Sequence, residues 1–201
     1  MNKAAYEHLK KSDPVLGRFM DQAGRIKHKP RRISCFESLV RAITNQQLSG
    51  RAAETIFGRF CALFPNCDFP CAKEVFATDA DTLRRVGLSR PKAAYIRDLA
   101  SRMHAGTVPE LAEVDALTDA EILSRLTAIK GIGRWTVEML LIFNLGRPDV
   151  LPIHDLSIRK GFKIVFNKRK LPEPLAIERH GERWRPYRTT ASLYLWRACE
   201  H

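Results

Sequence analysis

Two glycines separated by one residue stand where backbone groups of this chain could bind an anion. Gly131 and Gly133 lie between an apolar helical pattern that ends near Leu126 and a second one that begins near Val137. Glycine permits a tight turn, and a helix that starts directly after it presents backbone N–H groups to an anion. The spacing indicates a helix–hairpin–helix motif over 126–140, which would hold a DNA phosphate without reading base sequence.

Cationic side chains strengthen that interpretation. The glycines alone would favour a plain corner between two helices, but Lys130 and Arg134 flank the turn, and cations there favour a phosphate. The predicted DNA-binding set is Lys130, Gly131, Gly133, Arg134 and Thr136.

A carboxylate follows the hairpin, twenty residues beyond Trp135. Asp155 stands where a loop containing Pro152 gives way to a helical pattern that begins at Leu156. Aspartate is a preferred helix N-cap, so this position on its own indicates a cap. A reactive role for Asp155 depends on its combination with the hairpin.

The elements that must position these residues are helical. Apolar residues recur at i, i+3, i+4 and i+7 along most of the chain, and Thr118 with Glu121 forms a capping box. Neither a sustained alternation of period two nor an Asn-Gly or Asp-Gly signal for a β-hairpin is present, so the sequence predicts an all-α fold. The predicted helices are 36–48, 49–60, 78–87, 89–106, 118–126, 137–143, 156–166 and 186–199.

Composition narrows the class of partner. The 201 residues include 34 Lys and Arg against 22 Asp and Glu, a net charge of +12 that attracts polyanions, nucleic acid first and an anionic membrane second. An apolar share of 45% excludes a wholly disordered chain. The most apolar run, 139–143, is far shorter than the ~20 residues of a membrane span, and the N-terminus lacks a signal-peptide pattern.

The five cysteines are expected to be reduced thiols. Their number is odd, no secretion signal is present, and their spacing fits neither a zinc site nor an iron–sulfur cluster. They are Cys35, Cys61, Cys67, Cys71 and Cys199.

Two stretches have the composition of hinges, and a third that of a solvated loop. The hinge candidates are the basic segment 25–32 and the Gly- and Pro-containing segment 146–149. The segment 167–174, with three cations and two prolines, is predicted to be an exposed basic loop.

The hairpin followed at this distance by Asp155 resembles the helix–hairpin–helix DNA glycosylase superfamily, and most closely its DNA-3-methyladenine glycosylase II branch, which repairs alkylation damage. Residues 36–49, 86–92 and 183–196 carry the resemblance together with the hairpin and its aspartate.

The resemblance implies two helical lobes with a DNA-binding cleft between them. One lobe would combine residues 1–32 and 149–201 and carry the catalytic aspartate, and residues 33–148 would form the lobe with the hairpin. The N-terminal β-domain of some relatives is not expected, because the chain begins too close to Phe36.

The implied activity is that of a monofunctional DNA glycosylase in base excision repair. Such an enzyme flips alkylated purines of the 3-methyladenine and 7-methylguanine type out of duplex DNA and hydrolyses the N-glycosidic bond, which leaves an abasic site. By the resemblance Asp155 is catalytic, since a carboxylate stabilises the positive charge that builds on the sugar. Trp135 takes the place of the Schiff-base lysine of bifunctional relatives, so abasic-site lyase activity is not expected.

The resemblance also assigns a base pocket and a wedge. Trp135 and Trp196 match aromatic pocket positions, and Met139 and Leu156 match positions where a bacterial relative has tyrosines, although both tryptophans could instead be core residues. Trp184 has no such match and is expected in the core. The wedge that fills the gap in the duplex matches Gln46, Gln47 and Leu48, and Gln47 or Leu48 is the expected wedge residue. Each of the three could instead belong to a polar helix end capped by Ser49.

The remaining expectations concern cofactors, partners and location. Backbone carbonyls of Thr127, Ile129 and Ile132 match a structural Na⁺ or K⁺ site, whereas no cofactor is required for the chemistry and no iron–sulfur cluster is expected. The partner is double-stranded DNA with alkylated bases, with no membrane, and the protein is expected to be monomeric. It would act in the cytoplasm with the nucleoid, or in the nucleus of a eukaryote.

Two other functions remain open from the sequence. One is a glycosylase for oxidised or mismatched bases on the same scaffold. The other is a helix–hairpin–helix module that binds DNA without catalysis, although plain binding would need neither Asp155 nor the two tryptophans.

Overall fold

The computed structural model describes residues 3–200, and over that range every regular element is helical, which confirms the all-α prediction. Thirteen α-helices lie within these residues: α1 (Lys3–Ser12), α2 (Pro14–Ala23), α3 (Cys35–Asn45), α4 (Gly50–Ala62), α5 (Ala72–Ala77), α6 (Ala80–Arg85), α7 (Arg90–His104), α8 (Leu111–Val114), α9 (Asp119–Thr127), α10 (Arg134–Met139), α11 (Leu156–Val165), α12 (Pro174–Gly181) and α13 (Arg188–Arg197). A π-helical turn (Leu140–Leu145) continues α10, and a 3-10 turn (Glu182–Trp184) follows α12.

The chain divides into two compact units. Unit 1 comprises the chain up to Arg31 together with the chain from Leu141 onward, and unit 2 is Arg32–Leu140. The second boundary was predicted at 148/149 and lies at 140/141 instead, because residues after Leu140 bond to the N-terminal segment of unit 1. The backbone N–H of Arg31 donates to Phe143 O (3.0 Å). The segment 146–149 is therefore not a hinge between the units.

Unit 1 is built around a helix that is buried on nearly every side. In α13, Ala191, Tyr194 and Leu195 are fully buried, as expected of a helix surrounded by others. The N-terminal and C-terminal parts of the chain share this core, which also includes the following residues: Leu9, Leu16, Met20, Ile158, Phe162, Ile177 and Trp184.

Helix α13 approaches α11 so closely that only a glycine fits between them. A Cβ atom on Gly161 would lie 1.9 Å from the backbone oxygen of Leu195. Because that neighbour is backbone rather than a flexible side chain, a larger residue would force the two helices apart.

A buried carboxylate joins the two ends of unit 1. Asp13 caps α2 through Leu16 N (3.2 Å) and accepts hydrogen bonds from Trp184 Nε1 (2.9 Å) and His180 Nε2 (2.7 Å). Burial raises the pKa of Asp13, but the hydrogen bonds from His180, Leu16 and Trp184 outweigh it and hold the pKa below the ordinary value of 3.8. Trp184 is fully buried, as predicted for a core residue.

Unit 2 has its own apolar core, in which aromatic rings are prominent. The ring of Phe69, from the loop after α4, stacks on Phe57 with centroids 5.9 Å apart and also contacts Phe36 and Phe60. Several predicted boundaries in this unit differ from the structure. Asp79 rather than Thr78 caps α6, by accepting from Thr82 N (2.8 Å), and Thr78 caps the end of α5. Helix α3 ends at Asn45 rather than at 48, and α10 begins at Arg134 rather than at 137. The predicted capping box of Thr118 and Glu121 at α9 is confirmed.

None of the five cysteines is paired in a disulfide. All five cysteines are free thiols, and burial raises the pKa of Cys35 to about 11. Within residues 3–200, no cluster of His, Cys, Asp and Glu is arranged to hold a metal ion, and no helix there has the length and apolarity to cross a membrane.

The Gly161 contact predicts a stability difference between two glycine substitutions. Gly161→Ala should lower the free energy of unfolding by about 1–3 kcal/mol or more, because the methyl group overpacks the contact with Leu195. Gly58→Ala is the matched control, since Gly58 lies within α4 with no atom near its missing Cβ. It should raise stability by about 0.5–1 kcal/mol. Urea unfolding of both variants measures the difference, and equal stabilities would contradict the proposed close contact.

Candidate active site and hairpin

Asp155 lies at the first turn of α11, where it acts as the helix cap. Its Oδ1 atom accepts a hydrogen bond from Ile158 N (2.8 Å) and another from Trp196 Nε1 (3.2 Å). The side chain is half-buried. Two N–H donors from different helices therefore fix the orientation of one carboxylate oxygen, and capping and a chemical role are compatible.

The loop that leads to Asp155 is held along its length by α13. Arg188 pairs with Asp149 (Nε to Oδ1, 2.7 Å), and Thr189 Oγ1 donates to Arg147 O (2.6 Å) while accepting from Val150 N (3.0 Å). Further along the same helix, Ser192 Oγ donates to Val150 O (3.0 Å), and Trp196 reaches Asp155. Since 188, 192 and 196 are four residues apart, one face of α13 contacts the whole segment.

Trp196 has a second contact, with an aromatic ring of the π-helical turn. The indole stacks on Phe143 with centroids 5.5 Å apart. Both rings line a concavity of about 530 Å³ in unit 1, together with Ile26, Ser157 and Leu193. Trp196, predicted as a pocket residue, therefore lies beside Asp155, the predicted catalytic carboxylate. The sequence did not indicate the hydrogen bond from the indole N–H to this carboxylate.

The other predicted pocket residues are surface-exposed to different degrees. Leu156 follows Asp155 and is 52% exposed, while Trp135 on α10 is 53% exposed. Met139 is partly buried and lies four residues after Trp135, on the same face of α10. That these side chains line one pocket with Trp196 stays a prediction.

The hairpin turn requires glycine at one position and is open at the other. Gly131 has φ +81°, and a Cβ atom there would lie 2.2 Å from the Tyr95 ring. Gly133 is the N-cap of α10 with an ordinary φ of −91°, and nothing lies within 4 Å of its missing Cβ. Gly131 therefore shapes the turn, and Gly133 leaves open space at the start of α10.

Residues far away in sequence brace this turn. Gln46 Nε2 donates to Gly131 O (2.9 Å), and Asp98 Oδ2 accepts from Lys130 N (3.2 Å). Tyr95 and Asp98 were not identified from the sequence, because nothing in the spacing of α7 links it to the hairpin.

The bond from Gln46 also separates the three wedge candidates. The side chain of Gln46 is half-buried and hydrogen-bonded to the hairpin. The two exposed candidates are Gln47, whose φ is +56°, and Leu48, which is 40% exposed. Lys92 Nζ donates to Thr44 O (2.8 Å) and Gln46 O (2.6 Å), which holds the backbone of this turn. Burial lowers the pKa of Lys92.

The remaining members of the DNA-binding set differ in what they expose. Lys130 is exposed, whereas Arg134 bonds through Nε to the buried carboxylate of Glu138 (2.9 Å). Thr136 is only 7% exposed, so its group within reach of an anion is the backbone N–H in the first turn of α10. Glu138 was not identified from the sequence.

The three carbonyls predicted to hold an alkali ion lie at the end of α9 and in the turn. Thr127 is the last residue of α9, and Ile129 O already accepts from Ile132 N (3.2 Å). A carbonyl oxygen has two lone pairs, and the C-terminus of a helix carries partial negative charge. The donor set therefore suits a hard monovalent cation, and the site remains a prediction.

Comparison with known proteins identifies the family. The model of the HhH-GPD superfamily of base excision DNA repair proteins matches residues 40–186. The chain belongs to this superfamily. It is 38% identical over 191 residues to DNA-3-methyladenine glycosylase 1 of Schizosaccharomyces pombe, covering 95% of this chain and 82% of that protein.

Two solved structures of relatives have the same fold. The S. pombe 3-methyladenine DNA glycosylase in complex with abasic DNA has a TM-score of 0.86 at 37% identity, with 99% and 98% of the two chains covered. The DNA-3-methyladenine glycosidase of Bacillus halodurans has a TM-score of 0.90 at 33% identity, covering 98% of this chain and 89% of that one.

The open space at Gly133 predicts a defect in binding that is separate from folding. Gly133→Val should keep the fold, because φ is ordinary and no atom is nearby, but its side chain would block a phosphate from the start of α10. Affinity for undamaged and abasic-analogue duplexes should fall together by about tenfold or more, as expected when hydrogen bonds to a charged group are removed. Fluorescence anisotropy measures this, with Gly58→Ala as the control. A folded Gly133→Val protein with wild-type affinity would show that the hairpin is only a structural corner.

Proposed function

We propose that this HhH-GPD protein is a DNA glycosylase that removes alkylated purines of the 3-methyladenine and 7-methylguanine type from duplex DNA. It hydrolyses the N-glycosidic bond and leaves an abasic site for base excision repair. The observation that carries the proposal is the Asp155 carboxylate, held by Ile158 N and Trp196 Nε1 in a chain with relatives named as 3-methyladenine glycosylases.

The carboxylate is suited to the charge that develops in this reaction. As the glycosidic bond lengthens, positive charge builds on the sugar, and a fixed anion stabilises it without reorganisation. Asp155 can also orient or deprotonate the attacking water. An alkylated purine is cationic in DNA and is already a good leaving group, so a strong general acid is not required.

Aromatic rings suit the flipped base. An electron-rich indole attracts a cationic base by stacking and cation–π interactions of about 1–2 kcal/mol. Trp196 is suited both to stack on the base and to orient the carboxylate, since its ring lines the concavity of unit 1 and its N–H donates to Asp155. The exposed indole of Trp135 is a further candidate for such stacking.

We expect the enzyme to be monofunctional and monomeric. Position 135 carries tryptophan, which has no amine for the covalent imine that strand cleavage by β-elimination requires. Lys130 belongs to the turn itself, where its backbone N–H is bonded to Asp98.

Gln47 or Leu48 would fill the space vacated by the flipped nucleotide, and a structural alkali ion at Thr127, Ile129 and Ile132 would add positive charge beside a phosphate.

Replacing one carboxylate oxygen by nitrogen tests the proposal. Asp155→Asn keeps a side-chain acceptor for Ile158 N, and asparagine is as good an N-cap as aspartate, so the fold should be retained. Single-turnover release of methylated purine should fall by at least about 10²-fold, the scale of losing one preorganised charge-stabilising group, while affinity for DNA stays within a few-fold.

Asp79→Asn is the matched control, because Asp79 caps α6 through Thr82 N in the same way. It should leave base release unchanged. An Asp155→Asn enzyme that retained most of its activity, measured by chromatography of the released base, would disprove the assigned role of the carboxylate.

A further inference from the structure

A run of cations between α2 and α3 has no place in the site described so far. Residues 25–31, called here the basic strap, alternate in exposure along the chain. Arg25, Lys27, Lys29 and Arg31 are exposed, whereas the three residues between them, Ile26, His28 and Pro30, are half-buried. Alternation with period two indicates an extended chain, and all four exposed members are cations.

The inward-facing residues fix the strap to unit 1. His28 Nε2 donates to Ile142 O (3.0 Å), and its ring meets the Phe143 ring with centroids 5.6 Å apart. Pro30 packs into the space that a Cβ atom on Gly146 would need. The backbone N–H of Arg31 donates to Phe143 O (3.0 Å). An ordinary solvated run of charge needs none of these attachments.

The outward-facing cations are not neutralised by the protein. Lys27, Lys29 and Arg31 form no ion pair within the described residues 3–200. No acidic residue occurs between Asp21 and Glu37 in the sequence. The row therefore presents an uncompensated positive charge along one line.

The spacing of that row suits the backbone of DNA. Two residues of an extended chain advance about 6.6–6.8 Å. Neighbouring phosphates of one strand are farther apart than their axial rise of ~3.4 Å, because the strand also winds about the axis. A strap that follows the strand would thus place successive cations beside successive phosphates. An anionic membrane has no such repeat.

The strap also borders the proposed reaction site. Phe143 contacts both His28 and Trp196, and Trp196 bonds to Asp155. Ile26 lines the concavity that contains Trp196. We infer that the basic strap is a second phosphate-binding surface, which follows the DNA strand beside the flipped nucleotide; this inference rests on the proposed function for its choice of DNA.

Its test is the salt dependence of binding to an undamaged duplex of about 20 base pairs. The strap variant combines Lys27→Gln, Lys29→Gln and Arg31→Gln. Removal of each cation from its phosphate should flatten the slope of log K against log salt by roughly 0.9, up to about 2.7 for three. The affinity ratio of wild type to variant would then shrink about 40-fold between 50 and 200 mM salt.

A matched control removes the same charge elsewhere on unit 1. Lys168→Gln, Arg169→Gln and Lys170→Gln lie in an exposed loop, and this triple variant should change the slope by less than the roughly 0.9 expected for one phosphate. Thermal melting checks that both variants fold. An unchanged slope in the strap variant, or equal changes in both variants, would overturn the inference. So would a strap variant whose only defect was in binding to phosphatidylserine vesicles.

The outcome is separable from that of the proposed function. The salt dependence of binding to undamaged DNA can be measured without catalysis. A wild-type protein that released no methylated base would therefore refute the glycosylase proposal and leave the test of phosphate binding by the strap unaffected. Conversely, active enzyme with an unaltered slope in the strap variant would refute only the strap.

Discussion

The close contact of α11 with α13 at Gly161 is the constraint on which unit 1 depends. Because the missing Cβ of Gly161 leaves room for Leu195 O, α13 lies close enough to α11 for Trp196 to reach the cap of that helix. The same face of α13 holds the preceding loop through Arg188, Thr189 and Ser192. Asp155 is therefore positioned by two helices and a pinned loop, and its orientation follows from the core.

Unit 2 applies a comparable constraint to the hairpin. Gly131 adopts a left-handed conformation against the Tyr95 ring, and side chains of Gln46 and Asp98 bond to the backbone of the turn. These contacts use neutral or anionic groups and leave the side chain of Lys130 exposed. Rigid backbone with exposed cations is what sequence-independent binding of phosphate requires, and the strap of unit 1 has the same construction.

Local spacing made a substantial part of this structure predictable. The glycines of the hairpin, the capping box of Thr118 and Glu121, and the position of Asp155 before α11 each depend on residues within a few positions of one another. Short-range capping and turn chemistry can be identified from sequence because the partners are close along the chain. Partners distant in sequence were not predictable in this way, since Asp13 bonds to Trp184 across 171 positions and Trp196 reaches Asp155 across 41. Tertiary packing brings such pairs together, and no pattern of residue spacing in the sequence indicates them.

The most direct test of the proposed function is to identify what the wild-type protein releases from DNA. End-labelled duplex treated with a methylating agent is incubated with the protein, soluble bases are separated by chromatography, and the strands are analysed before and after alkali. We expect free 3-methyladenine or 7-methylguanine, with strands that break only after alkali. Strand cleavage without alkali, or no free methylated base at all, would contradict the proposed function.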